Sequence, residues 1–184
     1  MSAPTSHISP AALVESPAVR VSVAAPTARF SLRACGDLTP MNEALGLTLP
    51  DRVGQRAVDH DREVICLGPD EWMLHTSEAD AERLVAALGA LYEDHPHSLV
   101  DVSGREVSFE IEGPRAEDLL TLGMARDPQS IAVGEGRRTC FDGRTVILWR
   151  DRETRFRLDV WCSFAPYVSQ LLETGCRELA AEAV

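Results

Sequence analysis

A chain of 184 residues with an apolar fraction of 45% is long enough to bury a core without disulfide staples, as one domain or two small packed halves. Its formal net charge of −11 sets it against nucleic-acid backbones and anionic lipid, because affinity for either comes mostly from Lys and Arg. All 18 basic residues are arginine, which removes Schiff-base and phosphate-loop lysine chemistry.

No run of about 18 apolar residues occurs, so no transmembrane helix is expected. The N-terminal MSAPTSHISPAALVES lacks the basic and apolar regions of a signal peptide. Cysteines at 35, 66, 140, 162 and 176 form no C-x-x-C pair, and an odd number without a leader reads as reduced thiols in the cytoplasm.

Residues 1–28 are rich in Ala, Pro, Ser, Thr and Val, with no aromatic residue and Glu15 as their only acid. Such a composition predicts a flexible N-terminal arm, or an arm that orders on a partner subunit. From residue 29 to 184 the pattern predicts a single domain built of two packed halves. FSLRAC alternates as a strand, and MNEALGLTLP follows as a short helical turn or connector ended by Pro50. The stretch LGPDEWML, Leu67 to Leu74, places Gly-Pro-Asp-Glu between two apolar runs, EVICL and EWMLH. Proline presets φ at the second turn position and aspartate favours the tight turn, so the reading is a hairpin.

Ser77 stands where a helix cap is wanted, with Asp80 three residues on as a weak capping-box partner. Ala81, Leu84, Val85, Leu88 and Leu91 then recur at helical spacing, predicting a helix to about Tyr92. SLVDVS reads as a strand. EVSFEIEG alternates, with Val107, Phe109 and Ile111 on the core face and Glu106, Ser108, Glu110 and Glu112 on the solvent face. Pro114 opens a helix with Glu117 and Asp118 near its positive end, and Gly123 stops it. After the connector MARDPQSIAVGEGR, Asp142-Gly143 joins two strands as a hairpin dipeptide. RFRLDVW is a further alternating strand, and Val168, Leu171, Leu172 and Leu179 form the inner stripe of a last helix. Strands and helices in this order predict an α+β fold of mostly antiparallel sheet, with two related halves of ferredoxin-like type.

No constellation in this sequence carries catalysis. Gly134-Glu135-Gly136 with Arg137 and Arg138 lacks the strand–glycine–helix context of a dinucleotide site and reads as a turn. His95 and His97 flank a proline without a nearby third ligand, short of the three or four that zinc needs. His60 and His75 are isolated. Asp101 and Ser103 read as turn residues, since no third group and no nucleophile elbow accompany them. Arg105 is free to make an interfacial salt bridge. Trp72, Trp149 and Trp161 default to core or interface packing. The expectation is no catalytic, cofactor-binding or metal-binding residue in this chain.

LGPDEWML, DVSGREVSFEIEGPRAEDLL and FRLDVWCSFAPYVSQLL, in this order, resemble the gamma subunit of heterotetrameric sarcosine oxidase over roughly residues 30–182. That family is in turn similar to the folate-binding region of the glycine-cleavage T-protein, an aminomethyltransferase. The resemblance implies a T-protein-like fold and a non-catalytic place in a complex with alpha, beta and delta subunits. It also implies that FAD, FMN, NAD, tetrahydrofolate and zinc are held by those partners. T-protein-like enzymes carry an Asn-containing segment and a carboxylate after the strand matching FRLDV. Here Trp161 stands near the Asn position and no acid occurs between Val160 and Glu173. Where the gamma pattern commonly places an arginine before SFA, this chain has Cys162. The alternatives are a stand-alone folate-binding protein or aminomethyltransferase-like enzyme, and a plain self-associating domain.

Overall fold

The computed structural model describes residues 12–182, and they divide into two compact units. One holds residues 27–103; the other joins residues 12–26 to residues 104–182. Each unit carries one antiparallel sheet with helices and a core of its own.

In the unit of residues 27–103 the elements run β3 (Ala28–Ala34), α1 (Thr39–Leu45), β4 (Arg56–Asp59), β5 (Arg62–Gly68), β6 (Glu71–Thr76), α2 (Glu78–Gly89) and β7 (His97–Asp101). The sheet order is β4-β5-β6-β3-β7. Without β4 this is the ferredoxin-like arrangement that the sequence predicts. β5 and β6 meet across Pro69 and Asp70, with Gly68 paired to Glu71, so the hairpin expected at LGPDEWML is present. Phe30, Leu32, Val64, Trp72, Leu74, Leu84 and Leu88 fill the core beneath α1 and α2. Trp72 is buried there, and its indole N–H donates to the Pro50 carbonyl at 2.7 Å.

In the other unit β1 (Ala12–Glu15) and β2 (Arg20–Val23) precede β8 (Glu106–Glu112), α3 (Ala116–Thr121), β9 (Gly136–Phe141), β10 (Arg144–Arg152), β11 (Arg155–Trp161) and α4 (Ala165–Glu182). The order β1-β2-β8-β11-β10-β9 repeats the first topology, strand for strand, from β8 to β9. The place that β7 takes beside β3 is taken beside β8 by β2, which comes from the N-terminal segment.

For residues 12–28 this corrects the expectation of a flexible arm over residues 1–28. Val21 and Val23 alternate with Arg20 and Ser22, and Val19, Val21 and Val23 are buried against the second core. Burial of three valines at about 25 cal/mol per Å² of apolar surface is what orders the segment. The backbone makes room for it at Gly113. That residue has φ +143°, and a Cβ there would lie 2.6 Å from the Ala18 carbonyl oxygen. Residues 1–11 lie outside the described residues.

Other departures are smaller. Helix α2 ends at Gly89 rather than near Tyr92. Ser77 sits at its N-cap position without a side-chain capping bond. Edge strand β4 has no counterpart in the sequence reading. On β8, Glu106 and Ser108 are buried rather than solvent-facing. Ser108 donates to the carboxylate of Asp159, which also accepts the indole N–H of buried Trp149 at 2.6 Å. Pairing with that carboxylate makes a buried serine affordable on a face meant for water.

Candidate interaction surface

The residues singled out by sequence resolve mostly into structure. Asp101 accepts from the backbone N–H of Ser103 at 2.9 Å and from its hydroxyl at 2.6 Å. The Ser103 hydroxyl holds the Asp101 carboxyl below its usual range, and Ser103 in turn accepts from the Arg29 backbone. This is a turn lock. His97 Nδ1 donates to the His95 carbonyl at 2.8 Å, which fixes the ring within its own loop. Gly134 has φ +84°, and the Glu135 N–H donates to the Ala132 carbonyl at 3.0 Å, as in a turn. Among the described residues no three His, Cys, Asp or Glu side chains gather as metal ligands. Burial pushes the Cys176 thiol up to about 11, so it is protonated and unreactive at neutral pH.

A cavity of about 390 Å³ lies beside α3, lined by Gly113, Pro114, Glu117, Gln129, Arg150, Glu153 and Thr154. Arg150 is already committed there, donating to Glu117 at 2.8 Å, to Glu153 at 3.1 Å and to the Ile131 carbonyl at 3.0 Å. The arginine of this lining is thus already paired with the two carboxylates beside it.

The remaining site is where β11 passes into α4. Trp161 ends the strand and is 44% exposed. Three residues on, Phe164 stacks on it, with centroids 6.2 Å apart and planes inclined by 16°. Three further on, Tyr167 is 45% exposed in the first turn of α4. Two arginines arrive from other strands of the same sheet. Arg105, immediately before β8, lies 5.6 Å over the Trp161 ring and pairs with Glu106 at 2.8 Å. Arg144, first residue of β10, lies 5.1 Å over Phe164 and 5.5 Å over Tyr167. The Tyr167 hydroxyl donates to Asp142, a bond that raises the phenol above its ordinary range. Asp142 and Gly143, at φ +43° and +73°, make the expected hairpin turn, and Asp142 gains this second use.

The surface thus presents Trp, Tyr, Phe and Arg together. Aromatic residues and Arg are enriched in the cores of protein–protein contacts and dominate their energetics. The sequence shows Trp161, Phe164 and Tyr167 at a regular spacing of three, but not the two arginines, which only the sheet brings alongside.

Fold and surface together define an α+β chain of two antiparallel units with an outward face suited to a protein partner. A model of the sarcosine oxidase, gamma subunit family matches residues 36–178. The sarcosine oxidase subunit gamma of Corynebacterium sp. (strain P-1) is 31% identical over 154 residues, 81% of this chain and 74% of that protein. A chain of the heterotetrameric sarcosine oxidase of Corynebacterium sp. U-96, solved in complex with pyrrole 2-carboxylate, matches with a TM-score of 0.79 at 28% identity. The match covers 91% of this chain and 88% of the other. Aminomethyltransferase T of the glycine cleavage system of Bartonella henselae shares the fold, with a TM-score of 0.65 at 14% identity over 82% of this chain and 44% of its own. The chain belongs to the sarcosine oxidase gamma subunit family.

Proposed function

We propose that this chain is the non-catalytic gamma subunit of a cytoplasmic heterotetrameric sarcosine oxidase, where it stabilises or positions the alpha chain. The complex oxidatively demethylates sarcosine to glycine, yielding hydrogen peroxide and, with tetrahydrofolate, methylenetetrahydrofolate. FAD, FMN, NAD, tetrahydrofolate and zinc sit in the alpha, beta and delta chains. The observation that carries this reading is the match along nine-tenths of the chain to a chain of the Corynebacterium oxidase. The exposed Trp161–Phe164–Tyr167 face supports it, because a lone chain leaves that apolar surface in water. No helix among the described residues is long and apolar enough to cross a membrane.

The test is native purification of the tagged chain from its own host, followed by native mass and visible absorption. A yellow complex with flavin bands and several larger chains is expected. A colourless species of 20.1 kDa, or its dimer, that binds tetrahydrofolate in a calorimeter would overturn the reading in favour of a folate-binding protein.

A further inference from the structure

The repeated topology supplies an internal standard for Arg144. In the unit of residues 27–103, Arg62 is the first residue of β5 and pairs across a two-residue hairpin loop with Asp59. In the other unit, Arg144 is the first residue of β10 and pairs across a two-residue loop with Phe141. The first loop residues, His60 and Asp142, both have positive φ, at 50° and 43°. Both arginines face the helix that follows the next strand.

At the third position of those helices the two units differ. In α2 that position is Asp80, and Arg62 forks onto it: Nε to Oδ2 at 2.6 Å and Nη2 to Oδ1 at 3.1 Å. In α4 it is Tyr167, and the guanidinium of Arg144 lies over that ring and over Phe164 instead. The carboxylate nearest in sequence, Asp142, is taken by the Tyr167 hydroxyl. Glu106, across the surface, is taken by Arg105. Arg144 makes no ion pair among the described residues; its Nε is buried, which leaves Nη1 and Nη2 as the donors a partner can reach. Stacking on aromatic faces leaves the in-plane N–H donors of a guanidinium unspent and fixes their direction. Unspent donors on a held cation complement an anion, and the fork geometry matches a carboxylate.

We propose that Arg144 receives, through its Nη groups, an aspartate or glutamate side chain of a partner subunit, which answers its charge as Asp80 answers that of Arg62, while Trp161 anchors the surrounding contact. The inference rests on the subunit reading above and names the chemistry of its contact. The partner contributes a carboxylate bordered by apolar surface, and the contact weakens with salt.

The test uses the full chain and the remaining subunits of the oxidase, with Kd measured at low and high NaCl. Arg144→Gln should weaken binding about ten-fold or more at low salt and flatten the salt dependence. Arg144→Lys should recover only part, since an ammonium keeps the charge but not the stacked fork. Thermal melting of each variant chain monitors folding. Should Arg144→Gln melt early, Arg144→Lys decides: a Kd raised several-fold supports the contact, and a Kd equal to wild type overturns it. Unchanged binding by a folded Arg144→Gln overturns the assignment of Arg144 and leaves the subunit reading standing. A wild-type chain that binds no subunit overturns both.

Discussion

The passage from β6 into α2 and the passage from β11 into α4 are the same point in a repeated topology, finished in opposite ways. At the first, Thr76 and Arg83 join Arg62 around the Asp80 carboxylate, with Thr76 at 3.0 Å, and Arg62 also donates to the Leu45 carbonyl at 2.6 Å. Arg62 and Asp80 answer each other inside the unit. At the second, Trp161 and Tyr167 stand in water and Arg144 rests on rings. One junction holds its own unit together; the other is finished only by something outside the chain. A repeated fold can therefore assign stability to one copy and recognition to the other by exchanging one helix residue, aspartate for tyrosine.

The largest effect that sharpens this contrast is expected from Asp80→Ala. Arg62 is 13% exposed, so deleting its carboxylate strands a largely desolvated cation, at a cost of about 3 kcal/mol in urea unfolding. Acid should act on the same pair. The Arg62 guanidinium holds the Asp80 carboxyl far below the usual carboxylate range. Its folded pKa is depressed, so its contribution is fully present above the unfolded value of about 4 and lost as pH falls through the folded value. The unfolding free energy of wild type should drop as pH is lowered below about 4, and Asp80→Asn should flatten that limb. A smaller change is expected from Trp72→Phe. It keeps the ring in the core but leaves the Pro50 carbonyl without its 2.7 Å donor, costing about 1–2 kcal/mol by the same unfolding measurement.

The sequence disclosed what depends on local chemistry. Pro69-Asp70 and Asp142-Gly143 mark their hairpins, and the stripe from Ala81 to Leu88 marks α2, because each signal lies within a few residues. Three quoted motifs in fixed order were enough to point to the family. What stayed hidden depends on distant partners. Val21 and Val23 look like part of a disordered tail until β8, some ninety residues on, pairs with them. Arg56-Ala57-Val58-Asp59 is a half-exposed edge strand whose only sheet neighbour is β5, so it carries no alternation worth reading. Ser108 reads as a solvent-facing residue because Asp159 and Trp149, which make its burial tolerable, lie on other strands. The surface at Trp161 was half legible: the aromatic spacing is in the sequence, while Arg105 and Arg144 join it only through the β8-β11-β10 order.

The smallest expected effect on stability belongs to the residue with the largest expected effect on assembly. Trp161→Ala removes an exposed ring, and the isolated chain should unfold within about 0.5 kcal/mol of wild type. Its Kd for the remaining oxidase subunits, measured beside that stability, tests the division between the two junctions most directly. A Kd raised about ten-fold or more with melting unchanged is the expected result, as for an aromatic anchor at the centre of a contact. An unchanged Kd, or a loss of binding that merely follows a loss of fold, would contradict it.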